Sequence, residues 1–262
     1  MEGALRSRMR ARERLVGTVL TLPDVPLAEL SASACDFVWI DMEHGSLGCA
    51  DVQVLAIAAR AAGAASLVRV RDAHDGALGP VLDAGVDGVV VPRVDGVADA
   101  ARAVERLGYP PQGSRGFAAR RASDYGRDAG LRRRPVCMIQ VESTAAVDAA
   151  EAIANVDGVD ALVVGCADLA LSLGGDVEPS SPGFRDAVTR VQDAAESAGT
   201  VSGIAGPDDP ALLADLAGGR STVLVLAADV RIYARALDTG TQKLRRELAL
   251  RAPEHEGSHV SA

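Results

Sequence analysis

The sequence predicts a (β/α)8 barrel, and three observations carry that reading. Eight short runs rich in Val, Ile and Leu punctuate the chain, and they are continuously apolar, as strands covered on both faces are. Ala-rich stretches of helical character separate them, which implies parallel strands joined by crossover helices. The chain has 262 residues, 48% of them hydrophobic, and one barrel takes roughly 250 residues. An open doubly wound sheet is the structural alternative. It is weakened by the absence of a Gly-x-Gly-x-x-Gly turn after the first strand.

The elements follow in order. Strands are expected at Gly17 to Thr21, Phe37 to Ile40, Ser66 to Val70, Gly88 to Val91, Val136 to Val141, Ala161 to Val164, Thr200 to Ile204 and Thr222 to Leu226. Helices are expected at Leu27 to Ala32, Cys49 to Ala62, Gly76 to Ala84, Val97 to Leu107, Thr144 to Asn155, Phe184 to Ala198 and Pro210 to Ala217. Gly63, Gly85 and Gly199 stand where helices should stop. Ser143-Thr144 and Asp208-Asp209 suit N-caps, and Pro210 suits a first helical turn. Tyr109 to Pro135, with Pro110-Pro111, Gly113, Gly116 and many arginines, reads as a long loop, a class of segment that is usually functional or disordered. One domain over residues 1–251 is expected, with a disordered tail at 252–262.

Composition excludes several functions. A net charge of −9 argues against nucleic-acid binding, and no apolar run reaches membrane-spanning length. Residues 1–14 are basic but lack an apolar signal core, and the four cysteines (Cys35, Cys49, Cys137, Cys166) show no paired spacing. A reduced, cytoplasmic protein is therefore expected. The only lysine, Lys243, lies in the polar helical stretch Gln242 to Glu247, which is no place for the desolvated amine of Schiff-base or pyridoxal chemistry.

In a barrel, all strand C-termini open on one face, where the active site sits. Asp41, Glu43 and His44 follow the second strand. Arg69 and Arg71 belong to the third, Arg93 to the fourth, Gln140 and Glu142 to the fifth and Asp168 to the sixth. Taken singly, each reads equally as a solvated loop charge; taken together, they converge. Glu142 and Asp168 are the metal candidates, since two carboxylates plus waters suit Mg2+ or Mn2+ and leave positions open for a 2-oxo acid. His44 is the one histidine at a strand end, and an imidazole titrates near neutrality without tuning. Asp41 is positioned to hold its tautomer, and Arg69 offers a permanent positive charge to an enolate or a carboxylate.

On these residues the chain resembles the HpcH/HpaI aldolases, class II metal-dependent pyruvate aldolases. The likeness runs from about Leu15 to about Leu237 and rests on Trp39 to His44, Val81 to Gly85, Val90 to Val94, Tyr109 to Gly116, Gln140 to Glu142 and Gly165 to Leu169. The resemblance implies a barrel assembled as a hexamer, a trimer of dimers that exchange a C-terminal helix. It implies Glu142 and Asp168 as ligands of a divalent ion (Mg2+, Mn2+ or Co2+). Gln140 and the backbone at Ala167 would meet the pyruvate moiety, and His44 with Asp41 would move protons. Arg69 would stabilise the enolate, with Asp83 in support, and Gly113, Arg115 and Gly116 would shape the aldehyde side. The implied reaction joins or cleaves pyruvate, or a related 2-oxo acid, and an aldehyde. Alternatives are a citrate lyase β or malyl-CoA type lyase, whose branch lacks the Asp-x-Glu-His stretch, and a non-catalytic barrel subunit.

Two features depart from the family pattern. Cys166 stands where Pro is usual, which predicts a looser presentation of Asp168. The stretch Arg115 to Arg121 is unusually basic and carries Phe117, which suits either an anionic or bulky acceptor or a subunit contact. No Gly-rich phosphate cradle follows the seventh or eighth strand.

Overall fold

In a computed structural model that describes residues 4–128, 134–175 and 178–251, eight parallel strands close into a barrel in sequence order. They are β1 Leu15–Leu20, β2 Phe37–Asp41, β3 Ala65–Arg69, β4 Gly88–Val91, β5 Val136–Val141, β6 Ala161–Gly165, β7 Val201–Ala205 and β8 Val223–Ala228. Each expected strand is present, displaced by at most two residues at either end. Every residue of β2, β4, β5 and β6 is buried, as strands with two covered faces require.

Helices α1 Ala4–Arg10, α2 Val25–Ala34, α3 Cys49–Ala61, α4 Leu78–Asp83 and α5 Val97–Leu107 occur in the first half. Then come α6 Thr144–Asp148, α7 Ala150–Ala154, α8 Cys166–Ser172, α9 Pro182–Ser197, α10 Pro210–Ala217 and α11 Asp229–Leu250. Their starts obey capping chemistry. Asp24, Ser143, Ser181 and Asp209 each accept a backbone N–H from the first turn of α2, α6, α9 and α10. The helix expected over Thr144 to Asn155 breaks at Ala149 into α6 and α7, and nothing in the local sequence signals that break.

Two apolar layers form the core. One lies between sheet and helices; the other fills the barrel with Leu15, Phe37, Trp39, Leu67, Val90 and Met138. Gly17 makes room for that filling, because a Cβ there would strike the Phe37 ring. Leu5 and Met9 of α1 join the inner layer, so this helix plugs the end where the strands begin. Arg6 fixes the plug: it binds Asp160 through Nε and Nη2, both at 2.8 Å, and donates to the carbonyls of Arg134 and Pro135. Arg6 of the basic N-terminal stretch is thus structural.

The chain divides into a unit ending at Asp229 and a second beginning at Val230. The second unit is the body of α11, which exposes Ile232, Tyr233, Leu237, Leu244 and Leu248. The expected tail, 252–262, lies outside the described residues.

Candidate active site

Strand register assembles the site. Asp41 and Arg69 are directly paired neighbours on β2 and β3, at the ends of both strands. Arg69 sends Nε to Asp41 Oδ1 at 2.9 Å and Nη2 to Asp41 Oδ2 at 2.6 Å. Its Nη1 lies 3.0 Å from Glu43 Oε2 and 3.5 Å from Gln140 Oε1. The guanidinium also stands 5.7 Å from the Trp39 ring centre, a favourable cation–π placement. Burial works against its charge, but the hydrogen bonds and charge of Asp41, with Glu43 and Glu142, outweigh burial and raise its pKa.

The sequence expectation for Asp41 is corrected in one respect. Asp41 does not reach the imidazole of His44. Its carboxylate is spent on Arg69 and on the backbone N–H groups of Glu43 and His44. Both oxygens face the adjacent strand, because the register puts Arg69 there. The carboxylate beside the imidazole is that of Glu43, with Oε2 3.6 Å from His44 Nε2. Glu43 is nearly buried, and its Oε1 accepts from Arg93 Nε at 3.0 Å.

Glu43, His44, Arg93, Asp95, Glu142, Ser143 and Asp168 line one cavity of about 410 Å³ at the strand C-termini. Glu142 is held there by two donors. Its Oε1 accepts from the Arg93 backbone N–H at 2.7 Å and its Oε2 from Gln140 Nε2 at 2.5 Å. Burial pushes the Glu142 carboxyl up, and the charges of Glu43 and Asp168 add to that. Gln140 is itself buried and fits only because residue 165 is Gly: a Cβ there would lie 2.7 Å from Gln140 Nε2. Asp168 sits in the first turn of α8, and Ala167 beside it is exposed. The helix starts without the usual Pro. Cys166 is buried at its first position, and burial pushes its thiol up to about 12.

Among the described residues, no group of three or more His, Cys, Asp or Glu stands in a metal-holding arrangement. Glu142 and Asp168 nonetheless fit a hard divalent ion by the chemistry of their oxygens. Burial first, and then the charges of Glu43 and Asp168, work against the Glu142 carboxylate, and a bound cation would favour its charged form.

Asp83 is not part of this cluster. It ends α4 and accepts from Arg115 Nη2 at 2.8 Å. With Arg106, Ser114, Gly116 and Phe117 these two line a separate cavity of about 420 Å³. Arg115 is buried and lies over the Tyr109 ring at 4.6 Å, so the basic loop begins with an anchored charge.

Residues 25–210 match the family model described as HpcH/HpaI aldolase/citrate lyase. The chain is 35% identical over 257 residues to a hydroxypyruvate/pyruvate aldolase of Paraburkholderia phytofirmans, covering 92% of this chain and 97% of that protein. It is 36% identical over 219 residues to a 4-hydroxy-2-oxovalerate aldolase of Rhodococcus jostii, covering 80% and 84%. The crystal structure of an HpcH/HpaI aldolase/citrate lyase family protein from Burkholderia cenocepacia superposes with a TM-score of 0.86 at 34% identity, covering 92% of this chain and 99% of that one.

Proposed function

The chain belongs to the HpcH/HpaI aldolase/citrate lyase family, and from that premise we propose that it is a class II pyruvate aldolase. It is a carbon–carbon lyase that reversibly joins a 2-oxo acid to an aldehyde. One observation about this chain supports the reading above others. Arg69, Glu43, His44, Glu142 and Asp168 converge at the strand C-termini of a barrel unit that contains no lysine. Schiff-base catalysis from that unit is therefore closed, and electrostatic stabilisation of an enolate is the route left.

Each residue has a distinct task. Glu142 and Asp168 would hold a divalent ion; bound there, it would polarise the ketone of the 2-oxo acid and acidify its methyl group. Gln140 fixes Glu142 by its 2.5 Å hydrogen bond and borders the donor substrate. The backbone at Ala167, an exposed residue, would meet the pyruvate moiety. Arg69, immobilised by Asp41, places positive charge against the developing enolate oxygen. His44 moves the proton at Nε2, with the Glu43 carboxylate stabilising the imidazolium form. Asp83 acts only indirectly, by holding Arg115.

The apolar side chains exposed along α11 support the further proposal that copies of the chain assemble through this helix, as a hexamer, a trimer of dimers that exchange it. No helix among the described residues is long and apolar enough to cross a membrane. A cytoplasmic location is proposed from the four cysteines, all of them free.

The decisive experiment is deuterium exchange into the methyl group of pyruvate, followed by NMR with Mg2+, Mn2+ or Co2+. Exchange is expected with at least one ion and is lost on chelation. Glu142→Gln is expected to abolish it by removing a ligand charge. Undiminished exchange after chelation, or in that variant, contradicts the metal-dependent reading.

A further inference from the structure

Two arginines reach the Glu43 carboxylate, and they differ in what they have left to offer. Arg69 is 12% exposed, and all three of its nitrogens are engaged by Asp41, Glu43 and Gln140. Arg93 is 66% exposed and uses only Nε, bound to Glu43 Oε1 at 3.0 Å. Among the described residues, its two Nη groups have no protein partner. Arg93 also lines the cavity that holds His44, Glu142 and Asp168.

Arg93 is not a loosely tethered surface charge. Its backbone N–H is fixed to Glu142 Oε1 at 2.7 Å. Its φ of +57° lies in the left-handed region, which costs a non-glycine residue energy and tends to persist where surrounding contacts impose it. With backbone and Nε both pinned, the Nη fork is oriented in advance, so less rotamer freedom is lost when it meets a ligand. A guanidinium fork matches a carboxylate in bidentate geometry, and Arg93 is the one arginine that lines this cavity.

We propose that Arg93 is the specificity residue for the acceptor, and that its Nη pair receives an anionic group, a carboxylate carried by the aldehyde. The proposal rests on the aldolase reading given above. It places the acceptor's charged end at the cavity wall formed after β4, with the carbonyl end toward His44.

The test compares kcat/KM for 4-oxobutanoate and its neutral methyl ester as acceptors, with pyruvate as donor, so that length and carbonyl are matched. The unmodified enzyme is expected to favour the acid by about tenfold or more, the scale of one charge-assisted contact. Arg93→Gln is expected to bring the ratio to about one, and Arg93→Lys to keep part of it. Arg93→Asn, whose side chain tolerates left-handed backbone, is expected to behave as Gln does. Because the readout is a ratio within each enzyme, loss of overall rate or of some folded protein does not affect it. An unmodified enzyme with no preference for the acid, or variants that retain the full preference, overturns the proposal. Pyruvate methyl exchange needs no acceptor and separates the two ideas. Exchange with a flat acceptor ratio defeats the Arg93 assignment alone, whereas absence of exchange defeats the aldolase reading and this inference with it.

Discussion

Replacing Asp41 by Asn tests whether this carboxylate exists to hold Arg69. The side chains are 2% and 12% exposed, so the pair is shielded from water. Asn keeps the volume and can still accept from the Glu43 N–H. It removes the negative charge, however, and turns one oxygen that faces Arg69 into an amide donor. Removing one partner of a buried ion pair costs about 3–5 kcal/mol, and the retained backbone contact argues for the lower end, about 3 kcal/mol. At about 2–4 °C per kcal/mol for a unit of this size, the melting temperature should fall by about 6–12 °C. Arg69 would lose its Nη2 bond, keeping a neutral acceptor at Nε, Nη1 on Glu43 and the long contact to Gln140. Loss of a positioned electrostatic donor lowers turnover about 10²–10³-fold, so pyruvate methyl exchange should drop on that scale. Differential scanning fluorimetry and NMR exchange measure the two effects. A melting shift below about 2 °C, less than one kcal/mol for this size, would refute the pairing argument. If exchange were then still impaired, Asp41 would have to act on the imidazole, as the sequence alone suggested.

Three further perturbations follow from specific contacts. Gly165→Ala puts a methyl group against Gln140, and the displaced amide should release Glu142; exchange should fall about tenfold to a hundredfold with little change in melting temperature. Arg6→Met strips Asp160 of its main partner, where both side chains are under a tenth exposed; a loss of about 3 kcal/mol is expected by urea titration, tempered by the Cys137 N–H that Asp160 retains. Burial pushes Cys137 and Cys166 up to about 12, so Ellman's reagent at pH 8 should label only Cys35 and Cys49 in the folded protein and all four thiols after denaturation.

The strands were legible because each carries its own evidence: a run of apolar residues too continuous for an exposed segment, closed by Gly, Pro or a charge. The helices that escaped notice lack such evidence. In α1, seven residues long, Leu5 and Met9 are the buried apolar residues, and three arginines dominate its composition; its place is set by the barrel end it covers. In α8 the start is the same Cys166-Ala167-Asp168 segment that carries the expected ligand, so chemistry obscured a helix that begins at once after β6. The site's composition was readable because barrel topology gathers strand ends on one face. Its pairings were not, since they depend on register. Only the alignment of Asp41 with Arg69 reveals that Asp41 is already occupied, and so leaves the imidazole to Glu43. Arg93 follows Pro92, and nothing in Val-Pro-Arg announces a left-handed backbone whose N–H reaches Glu142.

Glu43 is the point at which these pairings meet. Its two oxygens are shared among Arg69 at 3.0 Å, Arg93 at 3.0 Å and His44 at 3.6 Å. Oε2 is buried without a properly aligned hydrogen bond, so its contacts with Arg69 and His44 are electrostatic rather than geometric. A carboxylate in that condition has capacity to spare for a charge that appears during reaction. The imidazolium proposed for His44 is such a charge, and among the described residues no other carboxylate forms an ion pair with its Nε2. The same residue restrains Arg93 through Nε and so orients the fork assigned to the acceptor. On the roles proposed for His44 and Arg93, proton transfer and acceptor choice share one buried carboxylate. A substitution at Glu43 would disturb both functions, whereas substitutions at Arg93 and His44 would separate them.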